Sequence, residues 1–236
     1  MSELRLQVLS GGAAQGVLTQ LAARQGIALG GRFGPVGAMQ QALLAGEPAD
    51  LLVLTRALID SLADEGHVLR DSVADLGVVR TGVAVRERDP HPQIGDRAAL
   101  LAALRAADEI HFPDPERSTA GVHFAGVLDT LGLRTTLAGR LRPHASGATA
   151  MRELAHASCA RAIGCTQVTE IRATPGLALL GPLPGEFELA TTYSAAVSAR
   201  AAHPDRARAF AALLGGPASR ALRAQAGFEF EDPGAA

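Results

Sequence analysis

Three short loops of this chain combine glycine with hydroxyl or apolar residues: Ser10-Gly11-Gly12, Gly34-Pro35-Val36-Gly37 and Ser118-Thr119-Ala120-Gly121. Each follows an apolar run and opens a helical pattern. The first turn of a helix leaves backbone N–H groups unpaired and carries a partial positive charge, which together attract an anion. Glycine admits a ligand close to the backbone, and the hydroxyls add donors. Any one of these loops by itself reads as an ordinary strand-to-helix turn; three of them converging would bind an anion without any lysine.

Other polar groups follow apolar strands. Thr55 stands after the run 50–54, Thr81 after Arg80, and Thr166 and Gln167 after 162–165. Thr166 and Gln167 are candidate donors to an oxyanion. His123 lies just inside the helix opened by Ser118–Gly121, and imidazole works as acid or base near neutral pH. It and Glu170 are the two candidate catalytic groups. As alternatives, His123 is a surface helix histidine and Glu170 a cap or ion-pair partner.

The chain has 236 residues, enough for two cores. Its hydrophobic content of 47% and charged content of 19% are those of a globular protein. A formal net charge of −2 carries no basic footprint, so no nucleic-acid partner is expected. All 22 positive residues are arginine, which excludes Schiff-base lysine chemistry and a Walker-type phosphate loop. Cys159 and Cys165 have no metal-site spacing, and His111, His144 and His156 have none either. No cofactor and no metal are expected. No window reaches the length of a membrane span. The start, Met1 to Leu9, shows no basic region, no long apolar run and no cleavage site. This predicts a cytoplasmic location, periplasmic only if a signal has been removed, and argues against a transporter partner.

The elements that must position these groups are readable. Strands at 4–9, 27–33 and 49–54 alternate with helices at 13–24, 38–45 and 57–65. Such alternation builds a parallel sheet with helices on its faces. A second α/β series follows: strand at 77–86, helix at 96–107, strand at 109–112, helix at 121–131 stopped by Gly132, helix at 148–157, strands at 162–165 and 177–181. The chain then returns through a strand at 191–199 and two closing helices at 204–214 and 217–226. The expected division is 1–80 plus 192–236 as one lobe and 81–191 as the other.

The order of these features resembles a known family. The Ser/Gly loop after the first strand, the Gly-rich loop after the second and Gly46-Glu47-Pro48-Ala49-Asp50 before the third come first. Pro113-Asp114-Pro115 with Ser118–Gly121, Ile163 to Ile171, Gly181-Pro182-Leu183-Pro184 and Gly215-Gly216-Pro217 follow. This is similar to the molybdate-binding branch of the bacterial solute-binding proteins, over essentially the whole chain. The resemblance implies an α/β class II periplasmic-binding-protein fold: two lobes, each a mostly parallel sheet flanked by helices, closing on a small anion in the cleft. Ser10, the 34–37 loop, Ser118–Gly121 and the Thr166–Gln167 region are the matching positions. Molybdate binders usually have a serine in the second loop, where this chain has Pro35-Val36; a carboxylate with an apolar body suits Val36 better. The same branch is similar to aconitate isomerase, which implies the alternative of a cytoplasmic isomerase of small unsaturated carboxylic acids.

Overall fold

The computed structural model describes residues 5–230; the expected start of the first strand at Leu4 lies outside them. In chain order the elements are β1 (Leu6–Gly11), α1 (Gln15–Arg24), β2 (Leu29–Gly34), α2 (Val36–Leu44), β3 (Leu51–Thr55), α3 (Arg56–Asp64) and β4 (Ala74–Arg86). Then come α4 (Arg97–Ala106), β5 (Glu109–Pro113), α5 (Thr119–Thr130), β6 (Leu141–His144), α6 (Gly147–His156), β7 (Ala162–Gln167) and α7 (Val168–Arg172). The chain closes with β8 (Leu177–Pro182), β9 (Ala190–Val197), α8 (Pro204–Gly215) and α9 (Arg220–Ala226). Two compact units result: Met1–Val79 with Thr191–Ala236, and Arg80–Ala190.

In the first unit the strands run in the order β2-β1-β3-β9. β1, β2 and β3 are parallel, and β9 returns antiparallel to β3. One core holds the unit together, with Leu9, Leu18, Leu52, Ile59 and Phe210 fully buried. β3 is buried on both faces along Leu51–Leu54, which is why its four apolar residues run without alternation. The Asp50 carboxylate accepts from the backbone N–H of Gln7 and of His203, both at 2.9 Å, tying β1, the entry to β3 and the start of α8.

In the second unit the order is β6-β5-β7-β4, with β8 also on β4. β5 is parallel to β6 and to β7; β4 is antiparallel to β7 and β8. Two cores lie on opposite faces. Val83, Val85, Ile163 and Cys165 enter one and Ala84 and Ala162 the other, as the two-residue period of a strand requires.

Several boundaries differ from the sequence expectation. Ser10 and Gly11 finish β1 instead of breaking it, α2 begins at Val36 and α5 at Thr119. The glycines of these loops keep φ values in the ordinary range and are taken into the elements, whereas Gly132, at φ +66, follows the end of α5. β6 carries Pro143 and no apolar run, which an edge strand tolerates and a pattern search passes over. α7 is a single short turn of helix. Among the described residues, no helix is long and apolar enough to cross a membrane.

Candidate functional site

In the first unit the carboxyl ends of β1, β2 and β3 lie side by side. Gly11 is opposite Gly34, and Ser10 opposite Val53. This brings Ser10-Gly11-Gly12, the Gly34–Gly37 loop and Thr55 to one edge of the sheet. Gly11 leads into a short 3-10 turn, Pro35 is the N-cap of α2 and Thr55 that of α3; no side chain caps any of them. No side chain therefore takes up the first backbone N–H groups of these helices, although Ala38 N–H turns back to the Pro35 carbonyl at 3.0 Å.

Two expectations change here. The Ser10 hydroxyl is fully buried and donates to the Gly11 carbonyl at 3.0 Å, so it is already used. Val36 is a core residue: a Cβ added at Gly11 would meet its Cγ1 at 2.8 Å and the Tyr193 ring at 3.2 Å. Gly11 is thus small to admit its own neighbours. Tyr193, on β9 opposite Thr55, joins this cluster. Sequence reasoning missed it, although it is the one tyrosine of the chain.

In the second unit β5 and β7 are parallel neighbours, and α5 packs on both. The loop from β5 to α5 is closed by Asp114, whose Oδ1 accepts from the N–H groups of Glu116 and Arg117 at 2.8 and 3.1 Å. Ser118 is the N-cap of α5 but makes no side-chain cap bond. The contrast with α4 and α6 is informative. There Asp96 accepts from Ala99 N–H at 2.8 Å and Ser146 from Thr149 N–H at 3.2 Å. The helices that leave β1, β2, β3 and β5 lack such caps. Gly121 is glycine for a reason internal to the loop: a Cβ would run into the Asp114 carbonyl and lie 2.5 Å from that of Pro113. Ala120 beside it is buried, while Ser118 and Thr119 are half-buried.

β7 ends at Gln167, directly opposite Thr81 on β4. Gln167 is 3% exposed and Thr81 1%, and neither the Gln167 amide nitrogen, its amide oxygen nor the Thr81 hydroxyl has a partner. The Thr169 hydroxyl, in the turn of helix after Gln167, is likewise buried and unpartnered. Thr169 lies within the Ile163–Ile171 segment that carries part of the sequence resemblance. Thr166 is different: its hydroxyl donates to Glu170 Oε2 at 2.6 Å, which takes it out of the donor set.

The two candidate catalytic groups are both engaged. His123 Nε2 lies 2.7 Å from the Phe187 carbonyl and donates to it. The Glu170 carboxyl is buried at the start of α6, over Gly147, where no Cβ would fit. Burial pushes its pKa up; the Thr166 hydroxyl and the N–H groups of Ala148 and Gln167 pull the other way. A histidine pair also appears that spacing did not show. His111 Nδ1 lies 3.1 Å from His144 Nε2, and Glu109 is 3.3 Å from His111 Nε2. Burial lowers the pKa of both imidazoles. Among the described residues, no three His, Cys, Asp or Glu side chains gather to hold a metal ion.

Residues 6–229 match the family model for bacterial extracellular solute-binding proteins. The periplasmic molybdate-binding protein of Azotobacter vinelandii has the same fold, with a TM-score of 0.78 at 20% identity over 97% of this chain and 100% of that one. The sulfate-binding protein SubI from Mycobacterium tuberculosis gives 0.69 at 21% identity, over 97% and 88%. Among curated proteins, an aconitate isomerase from Pseudomonas sp is 29% identical over 181 residues, which is 75% of this chain and 66% of that protein.

Proposed function

We propose that this chain, which belongs to the bacterial extracellular solute-binding protein family, binds a small di- or tricarboxylate at the carboxyl ends of its parallel strands. One observation carries this: Gln167 at the end of β7 and Thr81 opposite it on β4 keep buried polar atoms without partners. An unsatisfied buried polar group costs about 1–3 kcal/mol, so it persists where a ligand repays it. The start of α5, which follows the strand next to β7, supplies N–H groups and positive potential, which suit an anion and need no lysine.

A carboxylate is favoured by the relative whose name states one, aconitate isomerase. It also supports a second reading, isomerisation of a small unsaturated acid. In that reaction a base takes an allylic proton from one carbon and returns it to another as the double bond moves, with no net change in atoms or charge. His123 and Glu170 are the candidates, and both already hold protein partners. Binding is therefore placed ahead of catalysis.

The test is a titration calorimetry panel of citrate, cis-aconitate, trans-aconitate, molybdate and sulfate. Binding of the carboxylates alone is expected. Binding of molybdate or sulfate alone refutes the carboxylate assignment. NMR of cis-aconitate with the protein in deuterated water then decides between the two readings: conversion with deuterium incorporation establishes the isomerase, and an unchanged spectrum leaves a binding protein.

A further inference from the structure

Resting on the anion site proposed above, we infer that the solute carries a hydrogen-bond donor beside its carboxylate, as an α- or β-hydroxy acid does. The Gln167 amide has two ends of opposite character, an NH2 that only donates and an oxygen that only accepts. Both ends are buried and both are unpartnered. Turning the amide over exchanges the two positions but leaves one donor and one acceptor to satisfy either way.

The neighbouring groups are more adaptable. The Thr81 backbone is already committed, its N–H to Leu189 O at 2.9 Å and its carbonyl to Leu183 N at 3.0 Å. Its hydroxyl, and that of Thr169, remain spare. A hydroxyl rotates to donate or accept, so these two fit any polar ligand. The Gln167 oxygen does not adapt.

A bare oxyanion has acceptors only. A sulfate, a molybdate or the carboxylates of succinate would satisfy the Gln167 NH2 and set oxygen lone pairs against its carbonyl oxygen. Both groups would then be desolvated with no bond formed. A hydroxy acid resolves this within one molecule. Its carboxylate accepts from the Gln167 NH2 and the start of α5, and its hydroxyl donates to the Gln167 oxygen.

The experiment is calorimetry on the full chain with matched probes: L-malate against succinate, and citrate against tricarballylate, with molybdate and sulfate alongside. The expected result is that the hydroxylated member of each pair binds at least about tenfold tighter, because a site built around a hydroxyl rejects the analogue lacking it. In Gln167→Leu and Gln167→Met the ratio should fall to about one. Equal affinities within both pairs for the unaltered protein would overturn the inference, a bridging water then completing the amide. A ratio kept in both variants overturns it too, since the hydroxyl would be read elsewhere. Either result leaves the anion site standing. If none of the six probes binds, the anion site falls and the inference with it.

Discussion

Replacing Gln167 with leucine in the ligand-free protein should raise stability, which reverses the usual sign for a polar residue changed inside a protein. The side chain is 3% exposed, and both ends of its amide lack partners. Each unmade hydrogen bond at a buried group costs about 1–3 kcal/mol, whereas replacement by an apolar group of like size removes the cost. Imperfect fit of the branched side chain returns up to about 1.5 kcal/mol. The net expectation is a gain of roughly 1–3 kcal/mol. At about 2–4 °C per kcal/mol for a protein of this length, melting should rise by roughly 2–12 °C. Most single changes destabilise by about 1 kcal/mol, so the sign alone separates the outcomes. Urea unfolding followed by far-ultraviolet circular dichroism, without ligand and beside a thermal scan, measures it. A loss of about 1 kcal/mol or more would refute the reasoning: the amide would then be satisfied by ordered water, and its spare bonds would say nothing of a solute. Gain of stability with loss of citrate binding is the signature of a residue kept for binding.

Other expectations follow from the same geometry. Alanine for glycine within a helix normally stabilises by about 1 kcal/mol. In Gly121→Ala, however, the new Cβ overlaps the Asp114 carbonyl, and the urea midpoint should fall by the equivalent of about 1–3 kcal/mol; a rise refutes the close approach. Asp96→Ala should cost about 1 kcal/mol because it removes a cap, while Ser118→Ala should change stability by less than about 0.5 kcal/mol yet weaken citrate binding several-fold. Equal losses of stability in the two would assign Ser118 an ordinary capping role. Burial holds the pKa of Glu170 above its unfolded value, so its contribution is present below the ordinary carboxylate range and lost as pH rises through the raised value. Urea midpoints against pH should flatten on that side in Glu170→Gln. His111 and His144, with Glu109, Arg142 and Glu153 around them and the Cys159 thiol on Glu109, have pKa values lowered by burial. Their contribution is present above the ordinary imidazole range and lost as pH falls through the lowered values. The decline from about pH 7 to about pH 5 should shrink in His144→Leu; an unchanged decline would place its origin elsewhere.

Much of the scaffold is visible in the sequence because it follows simple periods. The alternation of apolar strands and helices up to Asp64 produces the parallel β1, β2 and β3, and Gly132 marks the end of α5. Elements that depend on partners were not visible. β6 forms because β5 offers it an edge, not because Leu-Arg-Pro-His favours a strand. Loop positions were legible and side-chain duties were not. Ser10 and Thr166 look like free donors in a sequence and spend their hydroxyls on Gly11 and Glu170. Gly121 looks like room for a ligand and is room for a carbonyl of its own loop. Gln167 and Thr81 stand out only when burial and pairing are both known, since a polar side chain after a strand is common and an unpartnered buried one is rare.

The discontinuity of the first unit sets an order of assembly. A ribosome delivers β1, β2 and β3 early, but β9, α8 and α9, which complete that sheet and its core, emerge only after all of residues 80–190. The second unit is one unbroken stretch of chain and has all its strands from β5 to β8 in hand first. During that interval β3, with Leu51, Leu52, Val53 and Leu54, waits without the neighbour that will cover its edge. Such an edge is open to pairing with other chains. The vulnerable moment of this protein is therefore the time taken to synthesise its second unit, and slower synthesis there lengthens it.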